Sequence, residues 1–161
     1  MHLSDQLVVA SFIALLGIAI GGGLYETLAV YPGWSHDPAP ATLKDKLRAS
    51  GQSAASRKFW PFISPTLLFL SIWNFVLALH ASGELKLLWA AAGAAIIVKS
   101  IASYAYFVPT MMRKFERSRI QSTSELTKAV RRWTVLSPLR LGIEVPALFC
   151  TLWVYAHLRA Q

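Results

Sequence analysis

The chain has 161 residues, of which 55% are hydrophobic and 15% are charged. Water-soluble domains carry about 25% charged residues, so this composition excludes an ordinary soluble protein and predicts an integral membrane protein. The net charge of +8 is typical of nucleic-acid binding, but most of the basic residues lie in two loops between apolar segments. We therefore expect no nucleic-acid partner.

Four apolar segments are each long enough to cross a hydrocarbon core, which takes roughly 20 helical residues. In chain order they are about residues 7–31, 60–80, 85–109 and 133–157. No basic residue precedes the first segment, and it is longer than a signal peptide, so we expect it to be retained. Because the four segments fill most of the chain, we expect one domain, residues 1–161, with an all-α fold: an integral membrane four-helix bundle.

The two loops rich in Lys and Arg are residues 32–59 and 110–132. With four spans, both loops emerge on one side, which the positive-inside rule assigns to the cytoplasm. We expect a multi-pass protein of a bacterial-type inner (cytoplasmic) membrane, with both termini outside and the lipid bilayer as its partner. Each loop also contains an amphipathic helix candidate, "PATLKDKLRAS" and "TSELTKAVRRW".

A short pattern recurs along the chain. "WPFISP" and "WTVLSP" open the second and fourth spans with the same W-x3-S-P spacing, and the first and third spans end at an aromatic stretch and a proline, Pro32 or Pro109. These matches suggest two parallel hairpin repeats. The tryptophans and tyrosines at these ends are expected at the headgroups, as amphipathic rings usually are.

Gly17 and Gly21 form a G-x-x-x-G pair in the first span. Such pairs allow helices to approach closely. We favour packing within the chain, and a homo-oligomer is the alternative.

Four ionisable side chains fall inside the spans: Glu26, Lys99, Arg140 and Glu144. Charge at bilayer depth is costly and marks a functional site by default. Arg140 and Glu144 are four residues apart and share a helix face. We expect a polar pocket in which Glu144 or Glu26 acts as a base and Arg140 stabilises an oxyanion, which makes these three the candidate catalytic residues. The candidate ligand-binding residues are Tyr25, Asn74, Lys99, Ser103, Tyr104 and Trp133.

The alternative interpretation is structural. Ser137 would cap the last helix and Pro138 would take its first position, so that Arg140 snorkels to the headgroups and the other charges neutralise one another.

Cofactor signals are weak. His2, His80 and His157 map to the outer side and are the only metal candidates we consider, but no metal-ligand spacing joins them, so we expect no metal site. No nucleotide-binding motif is found, and the cofactor is unknown or there is none.

The chain resembles the anthrone oxygenase-like family of small four-helix membrane proteins. The resemblance rests on "GGGLYETLAVYPGW", "YFVPTMMRKFE" and "AVRRWTVLSPLRLGIEVPAL". Tyr25 and Pro32 match the pattern of the first helix, and Trp133 and Arg140 match that of the last. The family implies oxidation of polycyclic phenolic substrates by oxygen, without a tightly bound cofactor.

The leading hypothesis is therefore a membrane protein that binds a hydrophobic aromatic or quinone-like molecule between its helices. If it is an enzyme, we expect an oxygenase or oxidoreductase. The alternatives are a small transporter or channel subunit, with proton or ion exchange at Glu26, Lys99 and Glu144, or a non-catalytic membrane scaffold.

Overall fold

The computed structural model describes residues 3–81, 83, 85–117 and 122–159, and within these ranges the chain is helical without a strand. Four long helices form it: α1 (Leu3–Ser35), α3 (Gln52–His80), α4 (Leu85–Glu116) and α5 (Thr123–Arg159). The short helix α2 (Leu43–Ala49) lies between α1 and α3. The predicted all-α fold with four apolar helices is confirmed.

The exposed surface of these helices is typical of a membrane protein. Each of the four is long and apolar enough to cross a membrane. Many large apolar side chains are exposed; Leu28, Phe62 and Leu87, for example, are 76%, 72% and 80% exposed. A soluble monomer seldom exposes so much apolar surface, whereas a lipid-facing helix does so as a rule.

The helices are longer than the sequence predicts. They contain 33, 29, 32 and 37 residues, or roughly 44–56 Å at 1.5 Å per residue, against a hydrocarbon core of about 30 Å. The expected span limits at residues 31, 60, 109 and 133 therefore fall inside helices. In particular α5 begins at Thr123, so the interpretation in which the last helix starts at Ser137 and Pro138 is wrong.

Widened helical turns precede three of the prolines that lie inside these helices. Pro32, Pro61 and Pro109 each follow a π-helical turn by two residues; the turns are Glu26–Val30, Ala55–Phe59 and Ser103–Phe107. In each turn the next amide N–H donates to a carbonyl five residues back, as Tyr31 does to Glu26. Proline lacks this hydrogen and crowds the carbonyl four residues earlier in an α-helix, and we infer that the wider turn relieves that crowding.

The chain divides into two compact units, and each unit takes one segment from every long helix. The first unit is Met1–Gly21, Ile63–Ser100 and Gly142–Gln161; the second is Gly22–Phe62 and Ile101–Leu141. The described π turns, including Thr110–Glu116, all belong to the second unit.

The first unit packs with regular helices around Val9, Ala78, Trp89 and Val154. Helices α3 and α4 approach closely at Gly93, where a Cβ would lie 3.1–3.2 Å from the main chain and Cβ of Phe75.

Gly17 and Gly21 behave differently from Gly93. Nothing lies within 4 Å of the position a Cβ would take at either residue. The expectation that this G-x-x-x-G pair packs within the chain is therefore wrong, while the homo-oligomer stays a prediction.

The second unit has an aromatic core. Tyr31, Trp34 and Trp133 are 3%, 0% and 5% exposed and pack in one cluster with Phe115 and other apolar side chains. The Trp34 ring lies 5.5 Å from that of Phe115. These rings fill a protein core, and their position relative to the headgroups stays a prediction.

Both amphipathic segments are helical and contribute to this core. Leu43 and Leu47 of α2 and Leu126 and Val130 of α5 are buried in it. An ion pair also braces the unit: the Arg57 guanidinium donates to both oxygens of the buried Glu116 carboxylate, with a shortest distance of 2.7 Å.

Candidate functional site

Glu26 is the centre of a buried polar cluster in the second unit. It begins the first π turn of α1 and is 3% exposed. Its Oε1 accepts from Trp60 Nε1 at 2.7 Å and from Gln52 Nε2 at 3.2 Å, and its Oε2 accepts from the Tyr31 hydroxyl at 3.4 Å. Both oxygens thus have donors, which compensates for part of the cost of burying a carboxylate. We call Glu26, Tyr31, Gln52 and Trp60 the Glu26 cluster.

A second layer supports this cluster. Trp34 Nε1 donates to Gln52 Oε1 at 3.2 Å, which orients the amide so that its nitrogen faces Glu26. The Phe59 ring lies edge-on to Trp60 at 4.9 Å. The donors are therefore held by their own neighbours.

Arg140 lies next to the Glu26 cluster. Its guanidinium stands 4.3 Å from the ring centroid of Phe107 and 5.8 Å from that of Trp60, and its charge acts on the Glu26 carboxylate. Nε donates to the Ser137 carbonyl at 3.3 Å. Among the described residues, the two terminal nitrogens of this half-buried side chain make no hydrogen bond. Cation–π contact holds the group while its terminal donors stay available.

Trp133, Ser137 and Arg140 form a row of donors on α5. Their spacing of i, i+4 and i+7 places them on one helix face. We call these three residues the donor row. The Trp133 ring is fixed between Phe107 and Phe115, with centroid distances of 5.0 and 5.6 Å.

Two atoms of the donor row are buried without a partner. Within the described part of the chain, Trp133 Nε1 and Ser137 Oγ make no hydrogen bond. Both lie against the Tyr31 hydroxyl, at the margin of hydrogen-bond geometry. An unsatisfied buried donor costs about 1–3 kcal/mol and is rare in native proteins, so these two atoms make the donor row a candidate site.

Three buried polar side chains of the first unit, Lys99, Glu144 and Asn74, have partners. Lys99 Nζ and Glu144 Oε1 lie 2.7 Å apart, with side chains 9% and 6% exposed. Asn74 accepts from Trp89 Nε1 at 3.2 Å and donates to the Leu70 carbonyl at 2.9 Å. The positive charge of Lys99 and the negative charge of Glu144 therefore neutralise each other.

The candidate catalytic residues therefore divide between the units. Glu144 belongs to the first unit, where its partner is Lys99, and Glu26 and Arg140 belong to the second. Although Arg140 and Glu144 are four residues apart on one helix, the structure gives them different neighbours.

The remaining candidates lie in less protected places. Tyr25 and Tyr104 are 65% and 39% exposed, and Ser103 is half-buried in the π turn of α4.

Two of the candidate histidines bond to their own helices. The Nδ1 atoms of His80 and His157 each lie 2.9 Å from the carbonyl oxygen four residues earlier, and His2 lies outside the described residues. In the described ranges no three His, Cys, Asp or Glu side chains come together in a way that could hold a metal ion.

Sequence reasoning missed Tyr31, Gln52 and Ser137 as site residues. Gln52 was assigned to a loop, and Ser137 to a helix cap. The sequence does carry a signal for Tyr31, because it follows Glu26 by five residues, the spacing that a π turn brings together. Trp60 was expected only at the membrane interface.

Comparison with protein-family models, with curated proteins and with solved structures finds no match for this chain.

Proposed function

We propose that this integral membrane protein binds a hydrophobic, oxygen-bearing aromatic molecule, phenolic or quinone-like, at the donor row of its second unit. Arg140 is the observation that carries the proposal. It is a cation in a membrane-spanning helix, it stacks on Phe107, and its terminal nitrogens are uncommitted among the described residues. Intramembrane charge of this kind marks ligand or ion sites by default.

The surroundings of Arg140 favour a flat, neutral ligand. The rings of Phe107, Trp60 and Trp133 provide aromatic surface, and a planar guanidinium stacks on such rings while donating in its own plane. The nearby Glu26 carboxylate offsets the charge of Arg140. A neutral aromatic molecule with an oxygen substituent can then bind without leaving a net charge in the bilayer.

Catalysis is the further part of the proposal and rests on the resemblance to anthrone oxygenase-like proteins, with oxygen as the oxidant. The Tyr31 hydroxyl donates to Glu26 at 3.4 Å. A phenolic ligand passes its proton to the Tyr31 oxygen as the Tyr31 proton moves to Glu26, and Arg140 stabilises the phenolate that remains. Glu144, paired with Lys99, takes no part in this reaction.

The transporter alternative would place ion exchange at Glu26, Lys99 and Glu144. The last two residues form an ion pair. Their 2.7 Å contact neutralises each charge with the other, as a structural ion pair does. The geometry supports ligand binding in the second unit more strongly, and the scaffold alternative leaves the unpaired donors unexplained.

We also propose that the second unit is the cytoplasmic one, in a bacterial-type inner membrane. Support comes from its exposed cations and the positive-inside rule. These cations are Lys44, Arg48, Arg57, Lys58, Arg113, Lys114, Arg117, Lys128, Arg131 and Arg132.

The test is binding of 1-naphthol and 1,4-naphthoquinone to the protein in nanodiscs, with naphthalene as the hydrocarbon reference. Arg140→Gln should weaken binding of both oxygenated probes about tenfold to hundredfold, the effect of losing a hydrogen bond from a charged donor. Arg132→Gln is the matched control, since Arg132 is an exposed arginine on the same helix and unit. Equal affinity of the wild type and Arg140→Gln, or no preference over naphthalene, would refute the proposal.

A further inference from the structure

We propose that four exposed cations of the second unit bind the phosphate groups of anionic phospholipids, so that the protein gathers acidic lipids around this unit. They are Lys58, Arg113, Lys114 and Arg131, and we call them the cation collar. The proposal is independent of the ligand proposed at Arg140. The position of the four cations carries it, because they lie at one level of the unit and border exposed apolar surface.

Helices α3 and α4 hold their collar cations at the same level. The Arg57 guanidinium lies 2.7 Å from the buried Glu116 carboxylate, which joins the two helices at this point. Lys58 follows Arg57 directly, and Arg113 and Lys114 lie within one turn of Glu116. The ion pair that uses the charge of Arg57 thus brings the exposed Lys58 to the level of the exposed Arg113 and Lys114.

An aromatic contact places the collar cation of α5 at this level too. Phe115 is the residue after Lys114, and its ring centroid lies 5.6 Å from that of Trp133. Arg131 precedes Trp133 by two residues, a rise of about 3 Å along the helix axis. The collar therefore takes cations from three of the long helices.

On α3 and α5 the collar borders exposed apolar side chains. Lys58 precedes Phe62 by four residues, and Arg131 precedes Val135 by four, a spacing that places both members of a pair on one helix face. Phe62 and Val135 are 72% and 56% exposed. Each face thus changes from apolar to cationic within one turn, as it does where a membrane helix passes from the hydrocarbon core to the headgroups.

The border on α4 has the same character and indicates the kind of partner. Val108 is 48% exposed and precedes Arg113 by five residues, the spacing that a π turn brings together. A phospholipid presents a hydrocarbon chain and a phosphate side by side, and so fits both parts of such a face. A nucleic acid or a soluble acidic protein would meet the cations but not the apolar side chains next to them.

The collar side chains are uncommitted within the protein. In the part of the chain that the structure describes, none of the four makes an ion pair or a side-chain hydrogen bond, in contrast to Arg57. The exposed acids among the described residues of this unit are Asp37, Asp45 and Glu125, and none lies within one helical turn of a collar cation along the chain. Lipid phosphates can therefore supply the missing counter-charge.

The experiment measures the lipid preference of the full chain in phosphatidylcholine vesicles. These contain a trace of spin-labelled phosphatidylglycerol or of spin-labelled phosphatidylcholine, and electron spin resonance gives the fraction of each that is immobilised by the protein. We expect a preference for phosphatidylglycerol of about twofold to fivefold, because one Lys or Arg near the surface accounts for about fivefold and the other lipids around the protein dilute the effect. At 1 M NaCl, where the Debye length is about 3 Å, the preference should disappear. No preference at low salt, or one that salt leaves unchanged, would overturn the proposal.

Two variants of equal net charge locate the preference. The collar variant removes one cation from each of the three helices by Lys58→Gln, Arg113→Gln and Arg131→Gln. The control variant removes three exposed cations of the same unit that have no exposed large apolar side chain within four residues, by Lys44→Gln, Arg48→Gln and Lys128→Gln. The collar variant should lose at least half of the preference and the control variant should keep it. Equal losses in both variants would mean that overall charge, and not the collar, attracts acidic lipids, and would overturn the proposal.

Discussion

In the first unit, Lys99 Nζ lies 2.7 Å from Glu144 Oε1, and Asn74 Oδ1 accepts a hydrogen bond from the indole N–H of Trp89 at 3.2 Å. In the second, the indole N–H of Trp133 and the hydroxyl of Ser137 are equally buried yet have no partner among the described residues. Both units take segments from the same four helices. Proteins leave buried polar groups unsatisfied mainly at functional sites.

The two units also differ in the regularity of their helices. The segments of the first unit are regular, whereas the described π turns belong to the second, and such turns are frequent at functional sites. The comparison predicts that substitutions in the first unit reduce stability and leave ligand binding intact, while those in the donor row reduce binding.

The largest loss of stability is expected from Glu144→Leu. This change leaves the buried Lys99 ammonium without its carboxylate, and breaking a buried pair costs about 3–5 kcal/mol. The free energy of unfolding, measured in mixed detergent micelles, should fall by this amount, while affinity for 1,4-naphthoquinone in folded protein should stay the same.

The double variant Lys99→Met with Glu144→Leu is the control. Because replacing both members of a buried pair with apolar groups is often neutral, most of the lost stability should return. A double variant no more stable than the single one would contradict the assignment of this pair to a structural role.

Trp60→Phe should give the next largest effect. It keeps an aromatic ring beside Phe59 but removes the 2.7 Å hydrogen bond to Glu26. Hydrogen bonds to charged groups contribute about 1.5–3 kcal/mol, so the free energy of unfolding should decrease by an amount in that range. The control is Trp153→Phe, at a tryptophan of the first unit that is 58% exposed, and it should leave the free energy of unfolding unchanged. Equal losses in both variants would show that the smaller ring, and not the lost hydrogen bond, lowers stability.

Gly93→Ala tests the close approach of α3 and α4. A Cβ would lie 3.2 Å from the Phe75 main chain, which cannot move as a side-chain end can, so overpacking should cost about 1–3 kcal/mol. Gly17→Ala is the matched control in the same unit, because open space surrounds that position. It should be neutral or gain about 0.5–1 kcal/mol from helix propensity. The measurement is the change in the free energy of unfolding for each variant. Equal changes at Gly93 and Gly17 would contradict the close approach of α3 and α4 at Gly93.

The number and type of the helices could be predicted because hydrophobic length is a local property of the sequence. Their ends could not. Pro32 and Pro109 are normal termination signals, but each follows a π turn and the helix continues through it. The burial of Tyr31 and Trp133 could not be predicted, because an aromatic residue near a span end has the same sequence signal whether it packs on protein or on lipid.

The candidate site could be predicted in part. Glu26 and Arg140 were found because intramembrane charge is rare and costly. Gln52 and Ser137 are uncharged, and which polar groups surround them depends on how distant segments pack. The partners of Glu144 were ambiguous for the same reason: a four-residue spacing gives a shared face but does not determine which neighbouring helix supplies the counter-ion.

The smallest effect tests the central claim most directly, that the donor row is held ready for a ligand. Ser137→Ala and Ser71→Ala make the same change at two fully buried helical serines, one without a partner and one bonded to the Leu68 carbonyl at 2.8 Å. With no ligand present, Ser137→Ala should raise the free energy of unfolding by up to about 1 kcal/mol, since it removes an unsatisfied buried hydroxyl, and Ser71→Ala should lower it by about 0.5–1.5 kcal/mol. A loss of stability at Ser137 equal to that at Ser71 would show that its hydroxyl is satisfied within the protein, and would contradict the account.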